Sequence, residues 1–385
     1  MASVVQAYQD IFGAAPELEV RAPGRINLIG EHTDYNGGFV FPAAVGHEIQ
    51  FAIGRSGSEE QCSLYAMDLK ARHDFKLSEM APLPPNSWQN YVMGVAAEIQ
   101  ATGRSLEGFN LAFAGNVPRG AGMSSSAAVE CGTCFGLSEL FRLEIPRVEM
   151  AQIAQRAEHR YAGVLCGIMD QFASIMGKAD HAFRLDCESL DYDYVPFQLT
   201  DHSLVLCNSN VTHNLADSGY NERRQQCQAG VSILKEHIPG LTSLRHASLE
   251  QLLMLQSEFP ELIFRRCKYV LEENARVHAY AKALQDANIQ YAGALMKQSQ
   301  QGMQFEYEIT CPEIDFMAAF ANARPEVMGA RMTGGGFGGC TLNLVEKGAG
   351  ELFIQELDQA YRHKFDRSIT PVPIEIADGV SLLSR

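Results

Sequence analysis

Val4, Val5, Tyr8, Ile11 and Phe12 recur at helical spacing and predict an amphipathic helix at the start of the chain. Residues 18–20 read as a short strand entering 21–34, a polar stretch punctuated by glycine. Residues 39–41 and 49–53 predict further strands, and 88–100 a helix. Residues 111–114 predict a strand that runs into a Gly/Ser loop, with a helix from about Ser125. Pro146 suits the first position of the next helix. Along that helix Met150, Ile153, Ala154, Ala157 and Tyr161 form one apolar stripe reaching about Ala162. A short helix near Met169 and strands at 182–185 and 204–208 follow.

The pattern then changes. From about 219 to 303 it is mostly helical, and 261–286 contains neither Gly nor Pro. The last part alternates: a helix at 313–323, a glycine cluster at 334–339, a strand at 341–345, a helix at 349–363, and strands near 372–376 and 380–383. No internal repeat or low-complexity linker interrupts it. With 385 residues the chain exceeds one ordinary domain, so two lobes are expected, 1–195 and 196–385, with a soft boundary near 190–200. The C-terminal strands in 370–385 are candidates to complete the first lobe.

Charge narrows the partners. Thirty-one basic against forty-six acidic residues give a net charge of -15, which repels phosphate backbones and anionic lipid, so no nucleic acid and no membrane is expected. The apolar fraction of 46% excludes extensive disorder, and no apolar run approaches the ~20 residues of a bilayer span. No Lys or Arg precedes Arg21, unlike a signal peptide, and ten scattered cysteines do not make a disulfide framework. A reduced, cytoplasmic protein is expected.

The strongest local signal runs from Gly115 to Glu130, where a strand ends, glycines permit tight turns, and Ser124, Ser125 and Ser126 stand at a helix start. Unpaired N–H groups and the helix dipole converge there as an anion pocket, and the hydroxyls add donors and a hard oxygen ligand for Mg²⁺. A serine N-cap after a glycine turn is the plainer reading. No Walker A lysine is present. Gly334, Gly336 and Gly339 formally satisfy G-x-G-x-x-G, but they precede a β-type run and no early βαβ unit surrounds them, so a dinucleotide fold is rejected. Six positions with one side chain beyond hydrogen still imply close backbone approach.

Asp170 lies in the first turn of its helix, as a dipole-favoured cap or a catalytic carboxylate. Glu158, twelve residues earlier, is a solvated helix residue or a metal ligand. Glu31, His32, Thr33 and Asp34 offer mixed acceptors and donors, the inventory a polyol requires, or else form a polar surface loop. Cys131 and Cys134 make a C-x-x-C inside a helix with no second pair at metal spacing, and read as small buried residues.

Residues 24–35 (GRINLIGEHTDY), 120–126 (GAGMSSS) and 332–340 (MTGGGFGGC) together resemble the galactokinases of the GHMP small-molecule kinase superfamily, in order and over nearly the whole chain. The resemblance implies an α+β GHMP fold, with an N-terminal mixed α/β lobe, a ferredoxin-like C-terminal lobe and the active site between them. It implies transfer of phosphate from ATP to the C1 hydroxyl of α-D-galactose, the first step of galactose catabolism. By motif, Asp170 matches the proposed base and Arg25 the charge stabiliser; Glu31, His32, Thr33, Asp34 and Tyr220 match sugar-binding positions. Gly120, Ala121, Gly122, Met123, Ser124, Ser125 and Ser126 match the ATP loop, and Ser126 and Glu158 the Mg²⁺ ligands. Trp88 and Tyr91 are weaker candidates for the adenine pocket. The partners implied are galactose and ATP, and a monomer or weak homodimer is expected. The competing readings are an N-acetylgalactosamine kinase and a non-catalytic galactose-sensing regulator. Met123 stands where Leu is commoner, a conservative exchange.

Overall fold

The computed structural model describes residues 3–118, 122–211 and 216–385. In chain order the strands are β1 (Leu18–Asn27), β2 (Phe39–Val40), β3 (Pro42–Arg55), β4 (Gln61–Ala66), β5 (Ala71–Lys76), β6 (Phe109–Gly115) and β7 (His181–Asp186). There follow β8 (Tyr192–Pro196), β9 (His202–Asn208), β10 (Val327–Thr333), β11 (Cys340–Glu346), β12 (Thr370–Pro373) and β13 (Ser381–Ser384). The helices are α1 (Val4–Phe12), α2 (Gln89–Ala101), α3 (Ser125–Phe141), α4 (Arg147–Ala157), α5 (Met169–Met176) and α6 (Ala216–His237). They continue with α7 (Leu249–Met254), α8 (Glu261–Gln285), α9 (Ile289–Gln301), α10 (Pro312–Asn322) and α11 (Gly350–Phe365).

β1 extends seven residues past the expected end at Val20, because Pro23 and Gly24 form a register shift rather than a break. Proline is tolerated at such an irregularity, and the long partner β3 keeps the ladder going on either side. Arg25 and Asn27 are therefore delivered on a strand whose last six residues are all buried, rather than on a loop. The order of the six-stranded sheet is β13-β1-β3-β6-β4-β5. Strands 370–373 and 381–384 part company: β12 joins the second sheet, β10-β11-β9-β12, and β13 returns to pair with β1.

α3 is buried on nearly every side, packed between β1, β3 and the helices α2, α4 and α5. Cys131 and Cys134 lie fully inside this helix, as small core residues. Gly132 is needed there: a Cβ would lie 2.1 Å from the Phe51 ring. Pro146 sits one residue outside α4 as its N-cap, not at the first position. The apolar stripe anticipated to Ala162 changes pitch at Ala157, and Glu158–Ala162 forms a π-helical turn. Such turns insert one extra residue and re-aim the side chains around it, a device frequent at functional sites.

α10 and α11 cover one face of the second sheet through Met317, Ala321, Phe353, Leu357 and Tyr361. The largest apolar cluster is continuous from β1 and β3 through Val277, Tyr280 and Met296 to Leu342, so the two sheets share a core. The fold is that of a mixed α+β protein with an antiparallel C-terminal sheet. Strands β4, β5, β8 and β10 were not anticipated: β5 alternates polar side chains, and β10 carries Gly329 and Arg331 within a buried strand. Among the described residues no helix is long and apolar enough to cross a membrane.

Gly132→Ala is expected to destabilise the protein by about 1–3 kcal/mol, the cost of overpacking a filled interface. Chemical denaturation checks it, and an unchanged midpoint would contradict the α3–β3 contact.

Candidate active site

A cavity of about 590 Å³ opens where β1, the turn before α3, the π-helical turn, α5, α6 and the glycine turn between β10 and β11 meet. Arg25 projects from β1 and Asp170 from the first turn of α5, and both line it. Nε and Nη2 of Arg25 donate to Oδ1 and Oδ2 of Asp170, each at 2.7 Å. The third guanidinium nitrogen, Nη1, donates to the Gly122 carbonyl, and the Arg25 backbone N–H donates to the Met123 carbonyl at 3.1 Å. The Arg25 side chain is 5% exposed and that of Asp170 25%, so the pair is anchored inside but reaches solvent at the carboxylate.

Ser124 stands in the left-handed region (φ 55°) at the start of α3, and its hydroxyl donates to Asp170 Oδ2 rather than capping the helix. The plain N-cap reading of that serine therefore does not hold. The N–H groups of the first turn of α3 receive neither a side-chain cap nor an acidic residue, which leaves the dipole's positive end facing the site. Backbone approach is close: a Cβ on Gly24 would lie 2.6 Å from the Met123 carbonyl oxygen. Gly122 has φ +66° and its Cα packs against Gly334, so the serine turn and the glycine turn touch. The glycines at 334–339 follow a strand but open a second strand, not a helix, as the rejection of a dinucleotide fold required. Met123 turns its side chain into the core, 1% exposed. Gly120 and Ala121 lie outside the described residues.

At the other end stand Asp34, His32, Glu31 and Tyr220, all lining the cavity. Asp34 is pushed up to about 7, first by burial and then by the charge of Asp170. Burial lowers His32 to about 4. The Tyr220 phenol is raised by burial and stays protonated, with its ring 4.9 Å from that of His32 and 5.1 Å from that of Tyr35. Thr33 does not line the cavity: it is fully buried, with its hydroxyl 2.8 Å from the Gly30 carbonyl and 2.6 Å from that of Phe39. Its place is inside the turn that presents its neighbours.

Glu158 lies on the π-helical turn, 7% exposed, beside the cavity. Burial and then Asp170 raise it to about 7, while hydrogen bonds from Cys166 and Ser126 work the other way. Gln171 Nε2 donates to Glu158 at 2.5 Å and to Glu130 at 3.2 Å, and burial pushes Glu130 well up. Ser126 and Glu158 thus form an adjacent pair of hard oxygen donors, the set that suits Mg²⁺ completed by phosphate and water. Among the described residues no group of three or more His, Cys, Asp or Glu forms a metal cage. Of the two adenine candidates, Tyr91 lines the cavity, whereas Trp88 packs edge-on against Phe113 at 5.6 Å.

Sequence reasoning missed the frame behind Glu31. Arg331, fully buried on β10, donates to Glu31 Oε2 and, at 3.1 Å, to the Asn27 carbonyl. Asn27 and the Gly334 N–H also donate to Glu31, at 2.9 and 3.1 Å. Burial pushes Glu31 up against the pull of Arg331. On the other side Glu273 accepts from the Gly30 N–H at 2.9 Å and from Ser299 at 2.7 Å. The signal that was available is an arginine inside the otherwise apolar run of β10.

Residues 6–55 match the galactokinase galactose-binding signature, 90–178 the GHMP kinases N terminal domain, and 280–363 the GHMP kinases C terminal domain. A galactokinase of Roseiflexus sp. (strain RS-1) is 40% identical over 375 residues, covering 97% of this chain and 95% of its own length. The chain belongs to the galactokinase family. The crystal structure of Lactococcus lactis galactokinase complexed with galactose superposes with a TM-score of 0.95 at 33% identity, covering 98% of each chain. Methanococcus jannaschii mevalonate kinase, at 18% identity and a TM-score of 0.65 over 94% of this chain and 98% of its own, shares the fold alone. As a galactokinase-family member of the GHMP superfamily, this protein is a kinase with ATP as co-substrate.

Asp34 gives this galactokinase-family site a pH signature. Its pKa is raised above that of an unfolded carboxylate, so the folded state holds an extra proton between about pH 4 and 7, and stability falls as pH rises through that window. Asp34→Asn, which keeps the acceptor for the Tyr35 N–H (2.9 Å), is expected to gain roughly 2 kcal/mol over the wild type at about pH 8 and little at about pH 4. Thermal unfolding of the ligand-free protein at both pH values reads this directly; an equal shift at both would contradict it.

Proposed function

We propose that the protein transfers the γ-phosphoryl group of ATP to the C1 hydroxyl of α-D-galactose, yielding ADP and galactose 1-phosphate, the entry step of galactose catabolism. The observation that carries this reading is the two-pronged Arg25–Asp170 pair at the wall of a cavity with the serine turn at its edge. A carboxylate 25% exposed and held on both oxygens is oriented to accept the hydroxyl proton. Arg25, tied to Asp170 and to the Gly122 carbonyl, stands between the base and the phosphate turn. There it favours the Asp170 anion and the charge that develops on the transferred group.

Asp34, Glu31 and Tyr220 supply acceptors and a donor for the sugar hydroxyls, and holding the sugar in line removes much of the entropic part of the barrier. Thr33 supports the turn from inside. The N-terminus of α3 with Gly122, Ser125 and Ser126 receives the triphosphate, and Gly120 and Ala121 belong to the same loop by sequence. Ser126 and Glu158 would hold Mg²⁺, which when bound neutralises charge on the phosphates. Tyr91 is the aromatic residue that supports an adenine site. The ten free cysteines support a reducing, cytoplasmic setting.

Asp170→Asn is expected to abolish turnover while leaving galactose binding within about 1–2 kcal/mol of wild type, the scale of an altered hydrogen bond. A coupled assay of ADP release across galactose, N-acetylgalactosamine, glucose and mevalonate, paired with calorimetric sugar binding, tests both. Normal turnover of the variant would remove the general base. Preference for N-acetylgalactosamine would move the assignment to that sugar, and binding without ADP release to a sensor. Glu158→Ala is expected to weaken catalysis chiefly by raising the Mg²⁺ requirement; an unchanged requirement would remove it as a ligand.

A further inference from the structure

A line of hydrogen bonds leaves the cavity at His32 and runs into the C-terminal half. Nε2 of His32 is 3.0 Å from the Gly335 carbonyl oxygen, and Nδ1 is 2.6 Å from the Tyr35 hydroxyl. That hydroxyl is 2.8 Å from the hydroxyl of Tyr307, which is 3.1 Å from Sγ of Cys227. Tyr307 ends the π-helical turn Gly302–Tyr307, Cys227 lies on α6, and Gly335 lies in the glycine turn. Four segments distant in sequence meet in one file of polar atoms, and Tyr307 and Cys227 at its inner end are at most 1% exposed.

Every bond in the file has a forced direction. A carbonyl oxygen only accepts, so Nε2 carries the hydrogen. A neutral imidazole then has Nδ1 as acceptor, so the Tyr35 hydroxyl must donate to it. The Tyr35 oxygen takes the hydrogen of Tyr307, and the Tyr307 oxygen takes that of the Cys227 thiol. Charging His32 would turn Nδ1 into a donor and reverse its bond with the Tyr35 hydroxyl. The His32 backbone is itself in the left-handed region (φ 62°), which costs a non-glycine residue free energy and persists only where the surroundings hold it. Here the two ring bonds and the Asn36 amide, which donates to the His32 carbonyl at 2.9 Å, do the holding.

We propose that Tyr35 and Tyr307 are positioning residues for the sugar, acting through His32: the Gly335 carbonyl sets its neutral Nε2–H tautomer, and the Tyr35 hydroxyl, backed by that of Tyr307, holds the ring against Tyr220. This rests on the reading of Glu31, Asp34 and Tyr220 as the sugar site. With both ring nitrogens committed, His32 offers the sugar no free ring donor or acceptor. Its work is to fix the ring of Tyr220, 4.9 Å away, and to bind the glycine turn to the sugar turn. The file couples sugar recognition to the placement of the C-terminal half without passing through Asp170.

The imidazole ¹⁵N spectrum of the ligand-free protein, labelled at histidine, tests the lock without any sugar. His32 is expected to show a pyrrole-type Nε2 and a pyridine-type Nδ1; the reverse tautomer or an exchanging mixture would overturn the proposal. Tyr35→Phe is expected to keep the Nε2–H tautomer, which the Gly335 carbonyl sets, and to move the Nδ1 resonance to that of a pyridine-type nitrogen without a hydrogen bond; Tyr35→Phe and Tyr307→Phe are each expected to raise the sugar KM by about threefold to tenfold, the range of one net hydrogen bond. The kcat and the ATP KM are expected to stay within about twofold. The double variant is to be no worse than Tyr35→Phe, because both act along one line. Equal losses in kcat and both KM values, or an unshifted sugar KM, would overturn it. Cys227→Ser keeps a donor and is to shift the sugar KM less than Cys227→Ala, which guards against a variant that merely folds poorly. Should the wild type phosphorylate none of the sugars, the functional reading fails, and the tautomer spectrum still decides the lock.

Discussion

The site depends on one charge pair. Arg25, almost wholly buried, is satisfied by both oxygens of Asp170 and by the Gly122 carbonyl. Truncating Asp170 leaves the Arg25 charge desolvated and without its carboxylate, which costs several kcal/mol by the behaviour of buried ion pairs. The pair also joins three pieces of chain: a strand, the turn before a helix, and the first turn of another helix. Its geometry is possible only because β1 continues through Pro23 and Gly24, and because Gly24 lets the serine turn lie against the strand.

The same pair sets the electrostatics of its surroundings. Among the described residues lining the cavity Arg25 is the one guanidinium, against the carboxyls of Glu31, Asp34, Glu158 and Asp170. Asp34 and Glu158 both feel the charge of Asp170 as the second cause of their upward shift, after burial. Such a site is held at some cost to the stability of the empty protein. Carboxyls crowded in this way favour ligands that return hydrogen-bond donors or positive charge, which sugar hydroxyls and a divalent cation do. Electrostatic strain and ligand class are two sides of one arrangement.

Much of this was legible in the sequence because it is local. Three serines at a helix start, a glycine run, and Arg25 through Asp34 in one string announce themselves without knowledge of the fold; the helix at 89–101 follows from apolar spacing, that at 125–141 from the serine start, and that at 261–285 from a stretch without Gly or Pro. The residues that were not legible act over long separations. Arg331 reaches Glu31 across 300 positions, and Glu273 reaches Gly30 across 243. Nothing near either of them in sequence indicates that they share a carboxylate–guanidinium frame. β5, half polar, and β10, with its arginine, break the patterns by which strands are recognised, and their place is settled by partners instead. Ser124 shows the converse: a favourable local role, the cap, gives way to a stronger acceptor on another helix.

That buried frame explains why the cavity lies between the two halves at all. The turn after β1 belongs to the N-terminal half by sequence, yet its backbone is fastened from the other side. Glu273 holds the Gly30 N–H, Tyr269 donates to the Glu31 carbonyl at 3.1 Å, and Arg331 holds the Asn27 carbonyl. Glu31 in turn binds the Gly334 N–H, so the glycine turn is anchored by a residue that itself lines the cavity. Neither half could present these side chains alone, because each supplies the donors that the other's buried carboxylates require. The turn before α3 is joined to β1 through Arg25, and the turn at 31–34 to α8 and β10 through Glu31 and its partners. The spacing of Asp170, the turn at 31–34 and the turn before α3 is therefore set by buried ionic contacts.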